Sequence, residues 1–120
     1  MIRRIPLIAL LAAFSSVLPA PVFGQLDDLV IRVPVTGVVE LGLAPFIERS
    51  LEEAAESGAA AVVLDMDTPG GRVDAAERIA DALSDSPVPV YTLVNRRAYS
   101  AGALIALATD RIYMRPGSAI

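Results

Sequence analysis

Apolar residues recur along this chain with two different periods. Leu29-Val30-Ile31-Arg32-Val33-Pro34-Val35 reads as a strand, and Pro34 places it at a sheet edge or marks its end. Thr36-Gly37-Val38-Val39 follows as a turn and a second short strand. From Pro45 to Ser57 the period becomes helical. Phe46, Ile47, Leu51 and Ala54 share a face, Glu48, Arg49, Glu52 and Glu53 cover the rest, Pro45 suits the first turn, and Gly58 is a stop signal. Ala60 to Leu64 is then a continuous apolar run, as expected of a strand covered on both faces of a parallel sheet. The first unit is therefore βαβ.

Thr68-Pro69-Gly70-Gly71 forms a sharp turn, after which Val73, Ala76, Ile79, Ala80 and Leu83 give a second helix its apolar stripe. Asp74 and Arg78 are spaced for an i,i+4 ion pair on its outer side. Beyond the Ser86-Pro87 break, Val88 to Val94 is a strand, Ala101 to Ala108 a buried helix and Arg111 to Met114 a last strand. The alternation predicts an α/β domain without internal repeats. So few helices leave sheet surface uncovered, so the domain is expected to be incomplete at its C-terminus, with an exposed edge after Ile120 that favours aggregation.

The N-terminus has a different pattern. Met1-Ile2-Arg3-Arg4 precedes an apolar run from Ile5 to Leu18, which at 14 residues is shorter than a membrane span requires. Pro19 and Pro21 break it, and Val22-Phe23-Gly24 offers small residues for cleavage before Gln25. Residues 1–24 are thus expected to be a signal peptide, with an uncleaved membrane anchor as the alternative, and residues 25–120 to be exported to a periplasmic or extracytoplasmic site.

Composition narrows the chemistry. All ten basic residues are Arg, and there is no Lys, His or Cys, which excludes a self-contained Ser-His-Asp triad, a Cys nucleophile, a Cys/His zinc site and any disulfide. A net charge of −4 argues against a nucleic-acid partner. No cofactor is implied.

Ligands of open parallel sheets sit beyond the carboxyl ends of the strands, where two loops, Asp67 to Gly71 and Asn95 to Ser100, are expected to face one crevice. In Ala98-Tyr99-Ser100-Ala101-Gly102 a serine at a turn opening a helix resembles a nucleophile elbow, although an ordinary N-cap is the stronger reading of the local pattern alone. Gly70 and Gly71 free backbone N–H groups to face an oxyanion, or simply permit a tight turn. Asp65-Met66-Asp67 has the D-x-D form of a Mg²⁺ site, but Pro69 stands where the phosphatase motif has Thr, and no Lys is available. The simpler reading has Asp67 bracing the glycine turn and Asp65 on the polar side. Arg96 and Arg97 are candidates for a substrate carboxylate, or are merely solvated.

Four motifs in order carry a family resemblance: Leu64-Asp65-Met66-Asp67-Thr68-Pro69-Gly70-Gly71; Pro87-Val88-Pro89-Val90; Ala98-Tyr99-Ser100-Ala101-Gly102-Ala103; and Asp110 to Ile120. The chain from about Leu29 onward resembles the NfeD family of membrane-bound ClpP-class serine proteases, relatives of signal peptide peptidase A. The resemblance implies an α/β ClpP/crotonase-like fold of repeated ββα units. It implies Ser100 as nucleophile and an oxyanion hole from the Gly71 and Ala101 amides, with a supporting turn of Thr68, Pro69, Gly70 and Gly102; from the residues themselves no metal is expected. It further implies a Lys base beyond Ile120, a protein or peptide substrate in hydrophobic segments of membrane-associated proteins, a stomatin-like membrane partner and a homo-oligomer when full length. A segment ending at Ile120 is expected to be inactive by itself. A non-catalytic scaffold of the same fold and a crotonase-type acyl-thioester enzyme are the alternatives. Asn95-Arg96-Arg97 lacks the Pro and Gly of archaeal-type members.

Overall fold

A computed structural model describes residues 28–120, so the expected signal segment lies outside the described residues. Strands and helices alternate: β1 (Val30–Thr36), α1 (Leu43–Glu56), β2 (Ala61–Thr68), α2 (Val73–Ser84), β3 (Val90–Ala98), α3 (Ala101–Leu107) and β4 (Arg111–Met114). The strands form one parallel sheet in the order β1-β2-β3-β4. Right-handed crossovers between sequential neighbours place every helix on the same side. The core lies between that helical layer and the inner face of the sheet: Val33, Val35, Leu64, Met66 and Val94 meet Ile47, Ile79 and Ile105 from the three helices.

Among the described residues, no helix covers the opposite sheet face. Arg32, Asp65, Asn95 and Tyr113 lie on it, and the Tyr91 and Tyr113 rings meet edge to face at 6.1 Å. Thus β2, read from sequence as covered on both faces, is covered by helices on one and by long polar side chains on the other.

Several local expectations change. The second short strand at Val38-Val39 is a single bridge from Val39 to Gly71, which is what remains there of the second β in a ββα unit. β3 does not end at Val94. A bulge between Met66 and Thr68 takes up two extra β3 residues, so Thr68 pairs with Ala98, and Asn95 to Ala98 are strand rather than loop. Arg78 does not pair with Asp74; it reaches α1, donating to both carboxylate oxygens of Glu48 at 2.6 Å, while Arg72 takes Asp74. A contact between packed helices prevails because Glu48 faces Arg78 directly. Phe46 and Val73 are exposed, and α1 buries Ala44 while α2 buries Ala75 instead. In α3, Ile105 and Ala106 are buried while Leu104 and Leu107 face outward, so that helix is only half buried.

Candidate active site

Thr68 ends β2 fully buried, and the local geometry is built on it. Its Oγ1 accepts the Gly70 N–H at 3.0 Å and its carbonyl accepts the Tyr99 N–H at 3.2 Å. Its methyl group fills the space over Gly102, where an added Cβ would come within 2.4 Å. One side chain therefore holds the glycine turn, the end of β3 and the start of α3 together.

The glycine turn is fixed from its other side as well. The Val39 N–H donates to the Gly70 carbonyl at 2.9 Å, and the Val39 carbonyl accepts the Arg72 N–H at 2.8 Å. A Cβ at Gly71 would lie 2.2 Å from that carbonyl. At Gly70, with φ +98°, a Cβ would lie 2.6 Å from the Tyr99 carbonyl and 2.7 Å from the Ser100 Cβ. These approaches require glycine at both positions. They also show that the two loops meet: Gly70 lies against Ser100.

Ser100 occupies the N-cap position of α3 at φ 52° and ψ −120°, and it is the one non-glycine residue with positive φ among the described residues. Its side chain makes no capping hydrogen bond, and it is exposed. The reading of Ser100 as an ordinary N-cap therefore fails. Such a backbone costs on the order of 1–3 kcal/mol and is retained where the surroundings over-determine it. Here Thr68, Gly70 and Gly102 do so. Ala101 follows, buried, at the first position of the helix. Among the described residues, the Gly71 and Ala101 N–H groups take no part in the backbone bonds around the turn. The arrangement presents a hydroxyl and two unengaged amides at one end of the sheet, as attack on a carbonyl requires.

The acidic residues are engaged elsewhere. Buried Asp65 accepts from the Arg32 guanidinium, through Nε at 2.8 Å and also through its terminal nitrogen, and from Asn95 Nδ2 at 3.1 Å. Asp67 faces Arg97 at 3.3 Å and Arg96 at 3.9 Å. Its side chain does not brace the glycine turn, a task that falls to the Thr68 hydroxyl, which accepts the Gly70 N–H two residues ahead. With guanidinium groups on both carboxylates, the D-x-D pair has the chemistry of a salt-bridge network rather than of a Mg²⁺ cradle. Residue-by-residue reading missed Val39, whose peptide groups hold the turn, and the Arg32-Asp65-Asn95 chain across three strands. For Val39 the signal was the short apolar step after Gly37.

The family model described as the NfeD1b N-terminal domain matches residues 29–120. The chain belongs to the NfeD family. Membrane protein NfeD1b of Bacillus subtilis is 51% identical over 85 residues, covering 71% of this chain and 20% of that protein. The membrane-bound protease PH1510 of Pyrococcus horikoshii is 31% identical over 121 residues, covering 98% of this chain and 26% of the protease. The chain thus spans about a quarter or less of these relatives' length. A solved 1510-N membrane-bound stomatin-specific protease variant, in complex with a substrate peptide, superposes with a TM-score of 0.73 at 32% identity, over 76% of this chain and 43% of that one. ClpP1 from Listeria monocytogenes superposes with a TM-score of 0.60 at 25% identity, over 65% of this chain and 46% of that one. The NfeD segment described here accordingly has a ClpP-like fold. Among its described residues no helix is long and apolar enough to cross a membrane.

Proposed function

We propose that this chain carries the nucleophile and oxyanion-binding part of a ClpP-class serine peptidase. The observation that carries the reading is the strained, non-capping backbone of Ser100, held against the Gly70-Gly71 turn. In the proposed reaction Ser100 Oγ attacks the scissile carbonyl carbon while its proton passes to a base. The developing oxyanion accepts hydrogen bonds from the Gly71 and Ala101 amides. Collapse of the tetrahedral adduct expels the amine, which takes that proton, and water then hydrolyses the acyl-serine.

These 120 residues contain no Lys and no His, and the family resemblance assigns the base to a Lys beyond them. The name of the archaeal relative, a stomatin-specific membrane protease solved with a substrate peptide, supports a protein or peptide substrate, and the family resemblance narrows it to hydrophobic segments of a membrane-associated protein. A stomatin-like partner, an exported location and a homo-oligomeric full-length protein belong to the same proposal. The strained serine turn gives no advantage to a scaffold or to an enolate-stabilising enzyme, neither of which uses the hydroxyl.

The test is active-site labelling of the full-length protein in membranes with a fluorophosphonate. The wild type is expected to be labelled at Ser100, and Ser100→Ala is expected to lose both the label and peptide hydrolysis. Hydrolysis that persists in Ser100→Ala at the wild-type rate overturns the assignment.

A further inference from the structure

Reaching to Tyr99, the residue before Ser100, a cavity of about 460 Å³ opens at the carboxyl ends of β3 and β4. Asn95, Arg96, Arg97, Tyr99, Arg115 and Gly117 line it. Main-chain bonds fix its two walls relative to each other. The Arg115 N–H donates to the Val94 carbonyl at 3.1 Å, the Ala119 N–H to the Arg96 carbonyl at 3.0 Å and the Ala98 N–H to the Ala119 carbonyl at 2.9 Å. Ser118 closes the turn onto the Arg115 carbonyl through both its N–H and its hydroxyl. The roots of the three arginines are therefore set by the backbone, not by the chance position of a flexible loop.

Charge in this cavity is unbalanced. Arg96 and Arg97 share a single carboxylate, Asp67, at 3.9 and 3.3 Å. Arg115 has a neutral partner, donating to Asn95 Oδ1 at 2.6 Å. The nearby Asp65 is already engaged by Arg32 and Asn95. Among the described residues, three guanidinium groups thus meet one carboxylate, on a chain whose net charge is −4. Most guanidinium N–H donors there remain open, in a fork geometry that suits a carboxylate.

We infer that this cavity is a carboxylate subsite of the peptide substrate, seating either an Asp or Glu side chain or a free C-terminus beside the Ser100 bond-cleavage position. Substrate polypeptide is taken from the peptidase reading, and binding is therefore measured on the full-length Ser100→Ala protein, where hydrolysis plays no part. Labelling of the wild type at Ser100 judges the peptidase reading separately.

The probes are four synthetic libraries of hydrophobic decapeptides, with or without Asp and Glu (replaced by Asn and Gln), each as the C-terminal acid or the amide. Retention on immobilised protein is expected to be about tenfold greater for carboxylate-bearing libraries, the size of one charge-assisted contact. Retention of Asp/Glu amides identifies a side-chain subsite, and retention of Asn/Gln acids a terminus subsite. The preference is expected to vanish in Arg96→Gln/Arg97→Gln/Arg115→Gln and to persist in Arg111→Gln, on β4 outside the cavity. Should the triple variant melt early, Arg115→Gln alone and a salt titration serve instead, with the preference falling in both. Equal retention of all four libraries, or a preference unaffected by removing the cavity arginines, overturns the inference.

Discussion

At the scale of single residues, Ser100 combines a β-side approach, a helical departure and a positive φ, a geometry that glycine adopts without strain. Ser100→Gly is therefore expected to raise unfolding stability by about 1 kcal/mol over Ser100→Ala, strain relief exceeding the added chain entropy. Urea unfolding of a soluble segment containing residues 28–120 checks this, and equal stability of the two variants would show that the backbone is relaxed. The serine was legible in sequence as a small-x-Ser-x-Gly turn. Its departure from ordinary capping was not, because the residues on either side of Ser100 are held by Thr68 and Ser100 itself lies against Gly70, about 30 residues earlier, and no local pattern encodes those contacts.

At the scale of elements, helix α2 is tied at its first turn by Arg72 to Asp74 and along its flank by Arg78 to Glu48 of α1. The hydrogen bond from Arg72, aided by the Ala75 N–H, lowers the Asp74 carboxyl from 3.8 to about 2. Because the folded value lies below the unfolded one, the ionised form favours the folded state. That contribution is complete above about pH 4 and is lost as pH falls toward 2. The Asp74 carboxyl carbon shift should accordingly titrate near pH 2, and in Arg72→Ala its midpoint should rise; a midpoint unchanged by that substitution would rule out the pairing. The same residues show why an i,i+4 rule misassigned Arg78. Spacing within one helix identifies who can meet on its surface, but a packed neighbouring helix offers Glu48 two parallel hydrogen bonds in competition.

At the scale of the whole molecule, a parallel sheet here carries helices on one face, while its other face shows Arg32, Tyr91 and Tyr113 and its β4 edge exposes Tyr113 and Met114. Parallel sheets are ordinarily covered on both faces, and an unpaired edge recruits another strand. Residues 28–120 produced alone are expected to self-associate in sedimentation velocity, with Met114→Lys shifting the distribution toward monomer. A monomeric profile for the unsubstituted segment would contradict this view of the open face and edge.

The alternation of elements, the glycine turn after Asp67 and a serine at the head of a short helix are all readable along the chain. Hydrophobic period and turn chemistry are properties of neighbours along the chain, and these features need nothing else. Tertiary structure alone decided that β3 runs on to Ala98, that Asp65 pairs with Arg32 and Asn95, and that Gly70 presses on Ser100. Each depends on parallel register between segments about 30 residues apart, set by how the helical layer and sheet bury their shared core. The cavity of Arg96, Arg97 and Arg115 is of that second kind: an adjacent pair and a third charge nearly 20 residues on share one site because Arg115 bonds to Val94 and Ala119 bridges to β3.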